Sequence, residues 1–217
     1  MQVAAWVHIL RHSRSMTQIY PEFFRRIDES LDQHFYTQPR FVTHIDEGAS
    51  RFACTLYDRL LPTGSKILDL MSGYYSHLPC KFREVTGLGL NTNELAANET
   101  LSDYVVYDLN RNARLPFADN QFDGAVCTAS VQYMTRPTDT FSEVGRSLAP
   151  GAPFVVTFSN RMFPTKAILA WRSSDDAAHL RLVETYFKRT GYFCDIQTSH
   201  FVPNDGDPMY AVWGFRN

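Results

Sequence analysis

Residues 66–77 read Lys-Ile-Leu-Asp-Leu-Met-Ser-Gly-Tyr-Tyr-Ser-His. An apolar run this short, broken by one acid, suits a fully buried strand better than a helix, and a small polar turn follows at once. That order predicts a strand, a tight turn and a helix, the unit from which parallel sheets with covered faces are built. The turn departs from its own rule. A turn that receives a pyrophosphate at a helix N-terminus carries glycines on the G-x-G-x-x-G spacing, so that backbone amides can approach the phosphates. Here only Gly73 is present, with Met71 and Tyr75 where clearance is expected. The sequence therefore predicts a nucleoside-like ligand without a pyrophosphate.

The unit repeats. Apolar runs at 66–70, 85–90, 104–107, 124–128 and 153–158 read as five strands separated by segments with helical spacing. Ile45, Ala49, Phe52, Ala53, Leu56, Tyr57 and Leu60 fall on one helical face before Pro62-Thr63-Gly64. After Arg136-Pro137, Thr138 reads as an N-cap, and Phe141, Val144 and Leu148 form a second apolar face that stops at Pro150-Gly151. A third stripe, Leu180, Leu182, Val183, Tyr186 and Phe187, stops at Gly191. The runs 193–198 and 209–215 then read as a closing antiparallel pair. The expected class is α/β: a mostly parallel, seven-stranded sheet flanked by helices.

With 217 residues, 44% of them hydrophobic, the chain can bury one sizeable core. A net charge of -2 supplies no basic field for a phosphate backbone, so nucleic acid is not expected as a partner. Cys54, Cys80, Cys127 and Cys194 form no C-x-x-C pair and read as buried thiols in a reducing compartment, with no metal site. The apolar run 3–10 is short and is followed by Arg11, His12 and Arg14. These features predict a cytoplasmic protein without a membrane partner, in which residues 1–15, before Met16, add little to the fold.

In an open parallel sheet, ligands sit at the carboxyl ends of the strands near the reversal of strand order. The residues at those ends include Asp69, Met71, Ser72, Gly73, Asn91, Asn93, Glu94, Asp108, Leu109, Asn110, Ala129, Ser130, Gln132, Tyr133, Ser159 and Arg161. Three stretches carry a family resemblance. Leu68-Asp69-Leu70-Met71-Ser72-Gly73 stands where an L-D-L-G-C-G turn is usual, and residues 115–123 match L-P-F-x-D-x-x-F-D. Glu143 with residues 144–151 resembles E-x-x-R-x-L-x-P-G-G. Over roughly residues 44–217 the chain resembles class I S-adenosylmethionine-dependent methyltransferases of the type 11 kind, within a poorly characterised subgroup.

The resemblance implies a Rossmann-like fold with an N-terminal helical lid, residues 1–43 forming extension and lid and residues 44–217 the methyltransferase-like domain. It implies S-adenosyl-L-methionine as cofactor, with Asp69, Met71, Ser72 and Gly73 at the methionine end. Asp108 would accept from the adenine amino group beside Leu109, and Ala129 and Ser130 would line the sulfonium side. The acid that grips the ribose in the family is Gly89 here, which leaves Asn91 or Asn93 for the hydroxyls. Asn93 and Glu94 read most simply as the start of a helix, with ribose contact as the other reading of both.

Methyl transfer from a sulfonium needs alignment and exclusion of water more than a catalytic dyad. Where a base helps, His44 and Tyr133 are the catalytic candidates, with His77 a weaker one that also reads as structural. Tyr36, Arg40 and Arg161 are the substrate-binding candidates; Lys166, Trp171 and Arg172 would extend a substrate wall or form a basic surface. Asp119 and Asp123 read as turn and cap residues. The expected activity is methyl transfer to an oxygen, nitrogen or sulfur of a small-molecule acceptor, in a monomer or homodimer. A methyltransferase-like protein that only binds, and a nicotinamide-dependent Rossmann enzyme, are the alternatives.

Overall fold

The computed structural model describes residues 20–217, so the expected extension 1–15 and its apolar run lie outside the described residues. Each run read as a strand forms one: β1 (Lys66–Leu70), β2 (Glu84–Gly89), β3 (Asp103–Val106), β4 (Gly124–Thr128), β5 (Pro153–Phe158), β6 (Phe193–Phe201) and β7 (Met209–Arg216). They make one sheet in the order β3-β2-β1-β4-β5-β7-β6. The first five are parallel, and β7 runs antiparallel to both β5 and β6, as the closing pair predicted.

Side chains alternate between two buried layers because the strand period is two. Ile67, Val155, Ala211 and Trp213 enter one layer, while Leu68, Leu70, Phe154, Val156 and Val212 enter the other. Both faces are therefore dry, which is why these strands read as continuous apolar runs. The described residues form six α-helices: α1 (Asp32–Phe35), α2 (Glu47–Leu60), α3 (Thr92–Ala96), α4 (Pro137–Ser147), α5 (Leu169–Arg172) and α6 (Asp176–Thr190). Helix α2 covers the first layer with Ala49, Ala53, Leu56 and Tyr57. Helices α4 and α6 cover the second, where the Phe141 ring meets Phe154 and Phe187 at 4.9 Å and Tyr186 at 5.6 Å.

Several local expectations need correction. No helix follows β1: residues 71–83 form an irregular crossover, and 107–123 form another. Pro79 and Pro116 interrupt both, and local side-chain bonds take over the backbone, as described below. His77 accordingly lies in a loop and not at a helix start. Helix α4 begins at Pro137, with Arg136 as N-cap and no side-chain cap; Thr138 lies inside the first turn. Proline at the first position lacks only an N–H that the helix would leave unpaired anyway. Of the four free cysteines only Cys127 is buried. Cys54 is half-buried on α2, and Cys80 and Cys194 are exposed on a surface loop and the edge strand.

Candidate active site

Strand order reverses between β1 and β4, and a cavity of about 520 Å³ opens at the carboxyl ends there. Its first wall is the turn after β1. Met71 adopts a left-handed backbone, φ 57°, where the resembled family has glycine. The buried Asp69 carboxylate organises the turn: Oδ2 accepts from Ser72 Oγ at 2.7 Å and also from Ser76 Oγ. Asn98 Nδ2 donates to Gly73 O at 2.9 Å and to Ser76 Oγ at 3.0 Å, and Ser72 N–H donates to Leu88 O at 2.8 Å. Hydroxyls and one amide thus hold a turn that elsewhere is held by glycines and a helix start. Burial pushes the Asp69 carboxyl up to about 6, against the two serine hydroxyls that favour its charge.

The end of β2 explains the missing acid. A Cβ on Gly89 would sit 2.1 Å from the Ser72 carbonyl oxygen, so the close approach of the turn admits only glycine. Asn91 lines the cavity, but its amide is engaged: Oδ1 caps α3 by accepting from Asn93 N and Glu94 N at 3.0 and 3.1 Å, and Nδ2 donates to Tyr36 O at 2.7 Å. Asn93 is exposed and does not line the cavity. The carboxylate present there belongs to Glu94. It is buried, lines the cavity, accepts from Arg40 N at 2.7 Å through Oε1, and brings Oε2 to 3.1 Å from the Cβ position of Gly73. Burial raises its pKa. Its place just after β2, at the start of α3, is the sequence signal that brings it here.

At the end of β3, Asp108 Oδ1 accepts from Asn110 N at 3.0 Å and Arg111 N at 3.3 Å, with the buried Leu109 beside it. Beyond β4, Ala129 has φ 50° and donates its N–H to Thr157 O at 2.8 Å, while Ser130 Oγ donates to Thr128 O at 2.9 Å. Tyr133 Oη accepts from Phe163 N at 2.8 Å, and burial raises the phenol's pKa. That makes Tyr133 a protonated hydrogen-bonding group rather than a base.

The segment before α2 closes the remaining side. His44, at φ 66°, lines the cavity; partial burial, then the charges of Arg40 and Arg161, lower its pKa. Tyr36 and Arg161 also line it, the latter 3.1 Å from Asp207 Oδ2. Arg40 does not reach the cavity. Its guanidinium packs 4.5 Å from the Phe35 ring centre, 5.2 Å from Tyr36 and 5.1 Å from Phe163, and Nη2 donates to Phe35 O. His77 lines the cavity with Nδ1 2.8 Å from Ser50 Oγ, and burial pushes its pKa down to about 4.

The expected basic wall divides. Trp171 is a core residue stacked 4.0 Å from the His179 ring, and Arg172 Nε donates to Ala167 O. Lys166 is buried in a network with no sequence signature: Nζ lies 3.2 Å from Asp32 Oδ1, which Arg26 Nη1 reaches at 2.6 Å, while Asn110 Nδ2 donates to Asp32 Oδ2 at 2.7 Å. Asp119 pairs with Arg146 at 2.6 Å and Asp123 accepts from Lys66 N at 2.9 Å, the structural roles read for them.

Residues 70–156 match a family model described as a methyltransferase domain. With the strand order above, that match makes the chain similar, over those residues, to class I, S-adenosylmethionine-dependent methyltransferase domains. Curated relatives include the methyltransferase phqN of Penicillium fellutanum, 30% identical over 63% of this chain and 42% of its own length. The methyltransferase GfsG of Streptomyces halstedii is 27% identical over 59% of this chain and 50% of its own. The biotin biosynthesis bifunctional protein BioHC of Teredinibacter turnerae is 31% identical over 37% and 14%. The chain thus spans half or less of the length of these relatives.

The methyltransferase fold recurs in solved structures. A phosphoethanolamine N-methyltransferase 2 from Haemonchus contortus superposes with TM-score 0.58 at 15% identity, covering 92% of this chain and 61% of its own. An S-adenosylmethionine-dependent methyltransferase from Mesorhizobium loti gives 0.56 at 20% identity, over 78% and 99%. Among the described residues no helix is long and apolar enough to cross a membrane, and no group of three or more His, Cys, Asp and Glu is placed to hold a metal.

Proposed function

We propose that this protein transfers a methyl group from S-adenosylmethionine to a small-molecule acceptor. One observation carries the reading: of the five carboxylates that line the cavity, three, Asp69, Glu94 and Asp108, stand at or just after the ends of the adjacent strands β1, β2 and β3 of a methyltransferase-like sheet. A ligand with an ammonium and a sulfonium suits that acidic lining, and about 520 Å³ lies within the usual range for small-molecule pockets. When bound, the cofactor supplies a methyl group already activated on sulfur. Asp69 and the Gly73 turn would hold its amino acid end, Glu94 its ribose hydroxyls in place of an acid at Gly89, and Asp108 Oδ2 its adenine amino group. The missing glycines and the absence of a helix after β1 count against a pyrophosphate ligand.

The chain's other contribution is enclosure. The described part of the lid is tied down by Asn91 to Tyr36 O, by Glu94 to Arg40 N, and by the buried Arg26–Asp32–Lys166 ions. The loop between β6 and β7 is tied to the N-cap of α2, just after the lid, through paired bonds, Asp46 N to Asp207 Oδ2 at 2.9 Å and Asp207 N to Asp46 Oδ2 at 2.6 Å. Water is kept from the reacting atoms by these clasps.

Calorimetric titration with S-adenosylmethionine and S-adenosylhomocysteine tests the reading. Saturable binding of both is expected, weakened about tenfold or more in Asp108→Asn, the loss for one hydrogen bond to a charged group. No heat at millimolar ligand with a folded protein would overturn it.

A further inference from the structure

Beside its carboxylates the cavity carries a second kind of lining. Val42, His44, Tyr133, Met162, Phe163 and Arg161 supply apolar and aromatic surface with an imidazole and a guanidinium, and Asp46, His77 and Lys166 line the same cavity. We propose that the acceptor is a ring compound bearing an acidic hydroxyl, a phenol or enol, and that His44 removes the hydroxyl proton as oxygen is methylated. The proposal rests on the methyl-transfer reading above.

A cationic amine is excluded by what fills the aromatic wall. Tyr36 and Phe163 line the cavity and, with Phe35, form faces that attract a cation. That site is taken by the chain's own Arg40, 4.5–5.2 Å from the three ring centres. Its Nη1 is buried without a hydrogen-bond partner, so the charge acts through space, tempered on one side by Glu94. A second cation beside it would be repelled, whereas an oxygen gaining negative charge would be stabilised by Arg40 and Arg161 together.

His44 fits the complementary task. Neither of its ring nitrogens is hydrogen-bonded to the protein, whereas His77 is committed to Ser50. Its backbone is fixed by Thr43 Oγ1 donating to Ile45 O at 3.0 Å and by the Asp46 cap on Ala49 N at 2.8 Å. Burial, then the charges of Arg40 and Arg161, lowers its pKa and so favours the neutral imidazole, while Asp207 pairs with Arg161 and Asp46 lines the same cavity. A neutral imidazole matches an acceptor of intermediate acidity. A carboxylic acid is already ionised, an aliphatic alcohol is too weak an acid, and a phenol, at roughly 10, lies within reach. A thiolate is equally accessible by acidity, but sulfur is a poor acceptor for the hydrogen bonds a guanidinium offers. In the step, the acceptor O–H bond breaks and its proton goes to a His44 ring nitrogen. An oxygen lone pair forms the O–C bond to the methyl group. The methyl C–S bond breaks with its electron pair left on sulfur, giving an aryl or enol methyl ether, the neutral thioether and an imidazolium that later releases its proton to water.

Three probes of similar shape, 2-naphthol, 2-(aminomethyl)naphthalene, which is a cation at neutral pH, and 2-naphthalenethiol, are presented to the full chain with methyl-labelled S-adenosylmethionine. Label is expected on naphthol at a rate at least about tenfold above the other two. His44→Ala should lower that rate about 10²-fold while leaving the dissociation constant of S-adenosylhomocysteine unchanged. Faster transfer to nitrogen or sulfur, no transfer to naphthol in a protein that binds S-adenosylhomocysteine, or a naphthol rate indifferent to His44→Ala each overturns the acceptor assignment alone. Failure to bind S-adenosylhomocysteine overturns the methyl-transfer reading instead.

Discussion

Restoring the acid that the methyltransferase pattern places at the end of β2 should damage this protein. A Cβ at position 89 would lie 2.1 Å from Ser72 O, where ordinary contact begins near 3.4 Å, so the turn must retreat by about 1.3 Å. The obstacle is backbone, which no rotamer change relieves. Retreat breaks the Ser72 N–H bond to Leu88 O and pulls Ser72 Oγ from Asp69. The first loss is about 1 kcal/mol, and a buried carboxylate short of a donor adds about 1–3 kcal/mol. Together they make Gly89→Asp about 3 kcal/mol less stable, with Gly89→Ala losing most of that amount. At an m-value of about 2 kcal/mol/M for urea, the unfolding midpoint falls by about 1.5 M. Calorimetry on the variant, where still folded, should show weaker binding of S-adenosylhomocysteine, because the turn that bears Gly73 has moved. A Gly89→Asp protein with an unchanged midpoint and tighter cofactor binding would refute the reasoning and return the ribose to position 89.

Asp69 should make the ligand-free protein lose stability as pH rises. Its folded pKa, about 6, lies above the ordinary 3.8, so the folded state holds the proton more tightly; stability is highest below pH 4 and declines by up to about 3 kcal/mol through pH 6 from this group. Urea midpoints of native protein and Asp69→Asn across pH 4–7 should therefore converge at the acid end; parallel curves would remove the effect. Cofactor affinity should move oppositely, weakening below pH 6 as the carboxylate protonates, which calorimetry at pH 5 and 7 checks. Lys166→Met should destabilise by about 3–5 kcal/mol, since Asp32 keeps Arg26 and Asn110 but loses a buried cation. A change under 1 kcal/mol in denaturant unfolding would show the network to be dispensable.

The sheet was legible because its chemistry is repetitive. Strands dry on both faces must read as apolar runs, and α2, α4 and α6 each carry a stripe of the right period. Asp69, Gly73, Asp108, Leu109 and Ala129 could be placed at the cavity because a strand end is a position, and topology converts positions into neighbours. What failed were inferences about where side chains go. Arg40 has the right type and place in sequence to meet an anion, yet a long guanidinium can turn toward three rings as readily as toward a ligand. Asn91 and Asn93 offer amides at the strand end, but one is consumed by capping and the other faces outward, while Glu94, which reads either as a helix start or as a ribose contact, is turned inward. The turn after β1 was misread for the same cause. Periodicity does not record that Ser72, Ser76 and Asn98 bond around one carboxylate and leave no helix to form.

Three non-glycine residues with left-handed backbone, His44, Met71 and Ala129, line this one cavity. Each conformation costs about 1–2 kcal/mol relative to the right-handed one, so each needs something to impose it. In all three the restraint comes from bonds within the protein. Met71 is followed by the Ser72 N–H bond to β2, Ala129 donates to β5, and His44 lies between the Thr43–Ile45 turn and the Asp46 cap of α2. Groups of the chain itself thus hold these three backbones, which reduces the ordering that binding must otherwise bring about. The same restraints let a turn with Gly73 as its one glycine still serve. Glycines make left-handed backbone easy, and this chain reaches it with methionine by fixing the turn through Asp69 instead.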